Sequence, residues 1–312
     1  MRNAAVVVTY NRKALLTECL TAIIGQTVPP DTVIVIDNQS TDGTDQLFAK
    51  GAAFDLPIMD YRRMDANLGG AGGFYEGVKQ AYRDGFDWIW IMDDDTIPTP
   101  TALEEMLKAR ETVGEDVSFF ASAVYGAGGE PMNVPDLDYR RSPNGYPDWY
   151  YHADEGIIKI ESATFVSLLI NGKAVSKIGY PYKELFIWGD DKEYTLRMTH
   201  CCAPAYLVGR SRVIHKRAIA KRISIENETE PRRIDQFYYN YRNILVNVNA
   251  YEKGARSVIK RILGFNLLGL RILKDRNQQN RWRKIRVIHR GIWGFFLGTY
   301  DRSKFKRRFD LE

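Results

Sequence analysis

Cysteine is scarce in this sequence. The 312 residues hold three, Cys19, Cys201 and Cys202. The number is odd and the spacing is not that of a metal site, which argues against a disulfide scaffold and a cysteine zinc centre. Reduced thiols in a cytosolic protein are the expectation, with no disulfide between the neighbours Cys201 and Cys202. Long apolar runs are missing too. None reaches the roughly 18–20 residues that cross a bilayer, so no spanning helix is expected. Met1-Arg2-Asn3-Ala4 leads directly into a strand-like run, so no signal peptide is expected. Nor is charge of one sign abundant overall, the net being +5 with 27% charged and 45% hydrophobic residues, which excludes general disorder. That content suffices for one large domain, or a domain with an appendage. The small net charge hides an asymmetry. From Lys253 to Glu312 there are 17 Lys/Arg against 4 Asp/Glu, a balance of +13, so the remainder carries −8. An acidic body with a basic tail points to a tail that meets an anionic surface.

What is present is organised around three consecutive aspartates, Asp93-Asp94-Asp95. They follow Trp88-Ile89-Trp90-Ile91-Met92, a short β-branched and aromatic run that reads as a buried strand. Pro98 is expected to stop further pairing and to force a turn. Adjacent carboxylates at a strand end repel one another, and a hard divalent cation relieves the repulsion through oxygen ligands. Such an ion commonly also holds phosphates. Asp93 and Asp95 are the expected ligands, because alternate residues of an extended segment point the same way. Asp94 then faces sugar hydroxyls or the framework. The plainer alternative is an Asp-rich turn or helix cap.

The rest of the chain bears on that choice. Ala4–Tyr10 and Thr32–Ile36 are continuous apolar runs of the kind buried on both faces of parallel sheets. Between them Leu15, Leu16, Cys19, Leu20, Ile23 and Ile24 recur at helical spacing. Strand, helix, strand, helix predicts a doubly wound α/β sheet, with ligands at the carboxyl ends of its strands. Asp37 and Asp93 both sit at such ends. Asp37–Thr44 is a polar loop rich in capping residues, followed by a helix around Gln46-Leu47-Phe48. Asn67–Phe74 is glycine-rich. It is expected to approach a ligand closely and to present free N–H groups ahead of a helix over Tyr75–Tyr82.

In order and at suitable separations stand Val8-Thr9-Tyr10-Asn11-Arg12, Asp37-Asn38-Gln39-Ser40-Thr41-Asp42-Gly43, Asn67-Leu68-Gly69-Gly70-Ala71-Gly72-Gly73-Phe74 and Trp90-Ile91-Met92-Asp93-Asp94-Asp95. Together they resemble the nucleotide-sugar-binding half of family 2 inverting glycosyltransferases with the GT-A fold. The glycine stretch and the full triplet look most like the bacterial galactofuranosyltransferase and rhamnosyltransferase branch.

Beyond Val113 the chain continues with a strand at Val117–Ala121 and a long loop or lid over Ala127–Tyr151. The aromatics of that loop stack on a sugar or simply pin it down. One or two strands are expected over Ile157–Ile170. Asp190, Asp191 and Glu193 open a helix, where its dipole favours negative charge. The resemblance makes Asp191 the base that takes the acceptor proton, with Trp188 and Asp190 beside it on the acceptor side. Ala205–Val208 and Val213–Lys216 read as two strands. The resemblance makes the lone His215 a third metal ligand. Lys216–Arg233 reads as a mobile loop, and Phe237–Asn243 opens a helix whose Tyr-Tyr-x-x-Arg-Asn faces acceptor or diphosphate, or merely packs. The tail mixes apolar and basic residues in amphipathic helices suited to an anionic membrane surface; no nucleic-acid module is recognisable.

The expected division is a nucleotide-sugar half at 1–125, an acceptor half with a lid at 126–235, and a basic helical extension at 236–312 that meets a membrane or a second copy in a homo-oligomer. The expected function is inverting, metal-dependent transfer from a nucleoside-diphosphate sugar, UDP- or dTDP-linked, to a lipid-linked or polysaccharide acceptor in bacterial cell-surface glycan synthesis, O-antigen or cell wall. Galactofuranose and rhamnose are the favoured sugars. Thr9, Asn11, Arg12, Asp37, Asn67, Gly70, Asp93 and Asp94 would hold the donor. Asp93, Asp95 and His215 would hold Mn²⁺ or Mg²⁺. The setting is cytoplasmic, at the inner face of the membrane. The rivals are a non-catalytic glycan-binding or scaffold protein of the same fold, and a sugar-nucleotide pyrophosphorylase. The latter needs a glycine-rich loop after the first strand, where this chain has Tyr10-Asn11-Arg12-Lys13.

Overall fold

The structure is a computed structural model that describes residues 1–217, 224–252 and 254–305. The chain forms two compact units, one of Met1–Lys183 with Tyr194–Ala220, the other of Glu184–Glu193 with Lys221–Glu312.

The first unit is built on a sheet of ten strands. Strands β1 (Asn3–Thr9), β2 (Thr32–Asp37), β3 (Met59–Arg63) and β4 (Trp88–Asp93) run parallel in the order β3-β2-β1-β4. A short β5 (Thr96–Pro98) follows, then β6 (Phe119–Tyr125), β7 (Asp136–Leu137), β8 (Ile157–Ser162), β9 (Leu168–Asn171) and β10 (Ala205–His215). The sheet continues from β4 as β9-β6-β10-β8-β7. Strand β9 is antiparallel to both its neighbours, and β6 is parallel to β10.

Both faces of the central strands are covered, which explains their unbroken apolar runs. Ala5, Val7, Val33, Val35, Trp90 and Met92 meet α1 (Lys13–Ile24) and α3 (Ala102–Val113) through Leu16, Leu20, Leu103 and Met106. Val6, Val8, Ile34, Ile36, Ile89 and Ile91 meet α2 (Gly69–Arg83) through Phe74 and Val78. Helix α4 (Gly172–Ile178) follows β9.

Several sequence expectations are corrected. Thr96–Pro98 forms β5, antiparallel to Val213–His215, which the sequence did not suggest, while pairing ends at Pro98 and a turn follows, as expected. The glycine stretch is not a loop, because α2 begins at Gly69. Gly73 of the stretch, and Gly77 one turn on, let the helix pack closely on the sheet. A Cβ on Gly73 would lie 2.4 Å from Val8 Cγ1, and one on Gly77 2.3 Å from Val6 Cγ1. The segment after Gly43 is a 3-10 helix, Thr44–Phe48. Ala205–His215 is one strand with an irregularity between Val208 and Arg212, not two.

The second unit holds α6 (Pro231–Tyr251), α7 (Ala255–Lys274) and α8 (Arg281–Leu297). Its core gathers Ile234, Phe237, Tyr241, Leu245, Phe265 and Ile288. Helix α6 starts earlier than Phe237 because Glu230 caps it, accepting from the N–H groups of Arg232 and Arg233, with Pro231 in the first turn. Of the stretch read as a mobile loop, residues 218–223 lie outside the described residues, and Pro231–Arg233 is helical. The first turn of α5 (Asp190–Cys201) belongs to this unit and its remainder to the other. Among the described residues no helix is long and apolar enough to cross a membrane.

Candidate active site

In the first unit, Thr9, Asp37, Asp93 and His215 are the last residues of β1, β2, β4 and β10. Sheet register explains how His215 reaches the triplet. Strand β5 pairs Thr96 with His215, and the Lys216 N–H donates to the Asp95 carbonyl at 2.8 Å. Ligand atoms of Asp93, Asp95 and His215 thereby lie within 4.8 Å of one another. The expected grouping of Asp93 with Asp95 is observed, but its expected cause is not. Asp94 and Asp95 form the turn between β4 and β5 rather than an extended segment.

Asp94 turns to the framework. Thr9 Oγ1 donates to its Oδ2 at 2.8 Å, and Arg12 Nη1 to its Oδ1 at 3.1 Å. The same Arg12 nitrogen donates to Asp95 Oδ2 at 2.8 Å. Burial lifts the Asp94 carboxyl to about 6, against the pull of Arg12 and Thr9. Burial also acts upward on Asp95, but His215 and Arg12 outweigh it and hold that carboxyl below the usual range.

Asn133 supplies the feature that decides what this cluster can hold. Its Oδ1 lies 3.0 Å from His215 Nδ1, which orients the ring so that Nε2 faces the carboxylates. Nε2 stands 3.1 Å from Asp95 Oδ1, a buried contact that a proton on Nε2 or a shared cation satisfies. Carboxylate oxygens with one imidazole suit Mn²⁺ or Mg²⁺, so the residues present fit a divalent ion.

The loops around the cluster are tied to each other. Asp37 is fully buried, its Oδ1 accepting from the Ser40 N–H at 2.8 Å and its Oδ2 from Tyr61 Oη at 2.6 Å. Its direct structural role is to shape the loop that follows β2. Asn11 links that loop to β1, donating its N–H to Ser40 Oγ and accepting from the Thr41 N–H through Oδ1. Asn67 Oδ1 accepts from the Gly69 N–H at 2.8 Å and so helps to start α2. Gly70 has open space where a Cβ would stand.

In the second unit, Asp190 and Asp191 open α5. Burial, with the like charge of Asp191, pushes the Asp190 carboxyl up to about 7. Burial raises Asp191 too, offset in part by backbone N–H donors such as that of Lys192 at 2.7 Å. The preceding backbone is strained: Phe186, Trp188 and Gly189 have φ of 65°, 59° and 93°. Helix α6 holds it. Asn243 Nδ2 donates to the carbonyls of Leu185, Ile187 and Trp188 at 2.9, 3.1 and 2.7 Å. Asn247 Nδ2 takes the Gly189 carbonyl at 2.8 Å, and Arg242 Nη2 the Glu184 carbonyl at 2.8 Å. The Arg-Asn of the tyrosine-rich motif is therefore buried and bonded to this loop. Asn133 and Asn247 carried no sequence signal. Asn243 did, as part of the motif, but not the direction of its side chain.

Parallel central strands with carboxylates at their ends agree with the expected GT-A fold, and so do solved structures. S. aureus TarS 1-349 superposes with a TM-score of 0.58 at 15% identity, covering 96% of this chain and 93% of that one. GalNAc-T7, solved with UDP, GalNAc and Mn²⁺, gives 0.60 at 12%, covering 98% and 58%. At these identities the likeness concerns the fold alone. Sequence goes further: the profile of Glycosyl transferase family 2 matches residues 4–166. The chain belongs to that family, and with it to the glycosyltransferases. Galactofuranosyltransferase GlfT1 of Mycolicibacterium smegmatis is 30% identical over 206 residues, 64% of this chain and 66% of that protein. GlfT1 of Mycobacterium tuberculosis is 29% identical over 208 residues, 64% and 65%. The match thus spans somewhat less than two thirds of these relatives.

Proposed function

We propose that this protein transfers a sugar from a nucleoside-diphosphate donor to an acceptor hydroxyl, inverting the anomeric carbon, in the assembly of a bacterial cell-surface glycan. The observation that carries the proposal is the Asp93–Asp95–His215 cluster, with its ligand atoms within 4.8 Å of one another and the imidazole oriented by Asn133. These three residues would hold Mn²⁺ or Mg²⁺, which when bound neutralises charge on the departing diphosphate. Arg12 adds a fixed positive charge beside Asp94 and Asp95. Thr9, Asn11, Arg12, Asp37, Asn67, Gly70, Asp93 and Asp94 form or shape the donor site.

Asp191 acts as the general base. A base works best with a pKa near the working pH, and burial moves this aspartate pair toward it. Its carboxylate takes the acceptor proton while the acceptor oxygen attacks the anomeric carbon in one displacement. Trp188 and Asp190 line the acceptor side. In functional terms, residues 1–125 serve the donor, 126–235 the acceptor, and 236–312 meet a membrane or a second copy. The donor is UDP- or dTDP-linked. Galactofuranose is favoured by the names of the relatives, with rhamnose second. The acceptor is lipid-linked or a growing polysaccharide at the inner face of the membrane. A panel of nucleotide sugars with Mn²⁺, scored by acceptor-dependent nucleoside-diphosphate release, tests this. Turnover of UDP-galactofuranose or dTDP-rhamnose is expected, and no release from any donor would refute it.

A further inference from the structure

Helix α7 has two apolar faces, and only one is used inside the second unit. Val258, Phe265, Gly269 and Ile272 are buried. Ile259, Leu263, Leu267, Leu270 and Leu273 are instead between 38% and 63% exposed. At 3.6 residues per turn these five fall within an arc of about 120°, a continuous stripe on a helix about 30 Å long. An apolar stripe in water is a cost that folding of this unit does not explain.

The chemistry beside the stripe identifies its occupant. Helix α7 carries Arg256, Lys260, Arg261, Arg271 and Lys274 and no acidic residue. By helical position Lys260 and Arg271 border the stripe on the side away from the core, and Arg256 and Lys274 lie on its face at the two ends of the helix. Arg256 and Lys260 line one shallow groove together with Ile259, Leu263 and Leu267. Two of the cations have partners in the same unit, Arg261 with Glu252 at 3.8 Å and Arg271 with Glu226 at 3.6 Å. A second copy docked face to face would set Arg256, Lys260 and Lys274 of one copy against the same cations of the other. A nucleic acid would use the cations and leave the leucines in water. An anionic lipid surface satisfies both, with leucines in the acyl boundary and cations at the headgroups.

We infer that the Ile259–Leu273 stripe of α7 is an in-plane docking face for anionic phospholipid. This deepens the membrane-surface part of the proposed function and is independent of the transfer chemistry, because binding is read without turnover. The test is co-sedimentation of the full chain with vesicles of phosphatidylcholine alone and of phosphatidylcholine mixed with phosphatidylglycerol. Binding to the mixed vesicles is expected, weakened at least about tenfold by Lys260→Gln with Lys274→Gln, since each such charge near the surface contributes on the order of 1 kcal/mol. Leu263→Glu with Leu267→Glu should abolish binding while leaving the helical circular dichroism and transfer to a soluble acceptor intact. Equal binding to both vesicle types, or none to either, would overturn the assignment. So would a lipid-free dimer that Leu263→Glu converts to monomer, which would give the face to a second copy.

Discussion

Asn243→Ala should uncouple the fold from the chemistry. In the native protein the Asn243 amide donates to three backbone carbonyls, those of Leu185, Ile187 and Trp188. Each neutral bond contributes about 1 kcal/mol net, and each carbonyl left buried without a donor costs more, so the loss amounts to roughly 2–4 kcal/mol. The loop it holds keeps Phe186 and Trp188 at positive φ. Left-handed non-glycine residues cost on the order of 1–3 kcal/mol each. Clamp and strain are therefore of similar size. Without the clamp the loop relaxes, and Asp190 and Asp191, which follow it directly, lose their placement. Misplacement of a reacting group by about 1 Å costs on the order of 100-fold in rate. The expected result is a lower denaturation midpoint and a kcat reduced about 100-fold, with nucleoside-diphosphate affinity retained because the donor residues belong to the other unit. Asn243→Asp, which keeps the shape but sets an acceptor against three carbonyls, should be worse still. A folded Asn243→Ala protein with wild-type kcat would refute the reasoning.

Three other outcomes are expected. Burial raises the carboxyl of Asp191 as well as that of Asp190, so the base is protonated above the ordinary aspartate range as pH falls; kcat/KM should drop on the acid side above that range, and a limb within the ordinary range would count against Asp191 as the base. Replacing Asn133 by Ala frees the His215 ring, so Mn²⁺ affinity, read by electron paramagnetic resonance of free Mn²⁺, should fall about 10- to 100-fold; unchanged affinity would remove Asn133 from the metal site. Gly73→Ala places a Cβ 2.4 Å from Val8 Cγ1 and should destabilise by about 1–3 kcal/mol in a denaturant melt, whereas Gly70→Ala, with nothing within 4 Å, should leave the melt unchanged.

The sheet was legible because its central strands are buried on both faces, so Val6–Val8, Val33–Ile36 and Ile89–Met92 are apolar without alternation. The Asp triplet stood out because nothing in packing asks for three carboxylates at a strand end. The start of α2 was not legible in the glycine stretch, since glycine is a poor helix former and close packing of Gly73 on Val8 is a tertiary contact. The pairing of Asp93 with Asp95 was expected from strand alternation but arises from a turn and from the register of β5 on β10. Asn133 lies 82 positions from the His215 it orients. Asn243 lies 55 from the Trp188 carbonyl it holds. Asparagines that act on backbone or ring so far along the chain have no local signature, because the contact is made by the tertiary fold.

The most direct measurement is the anomeric configuration of the product, by NMR, from wild-type protein with Mn²⁺, an acceptor glycan and the donor accepted in the nucleotide-sugar panel. One displacement assisted by a single carboxylate predicts a new glycosidic bond inverted relative to the donor, and no product once the metal is chelated. A product with retained configuration, or transfer that continues undiminished under chelation, would contradict the account.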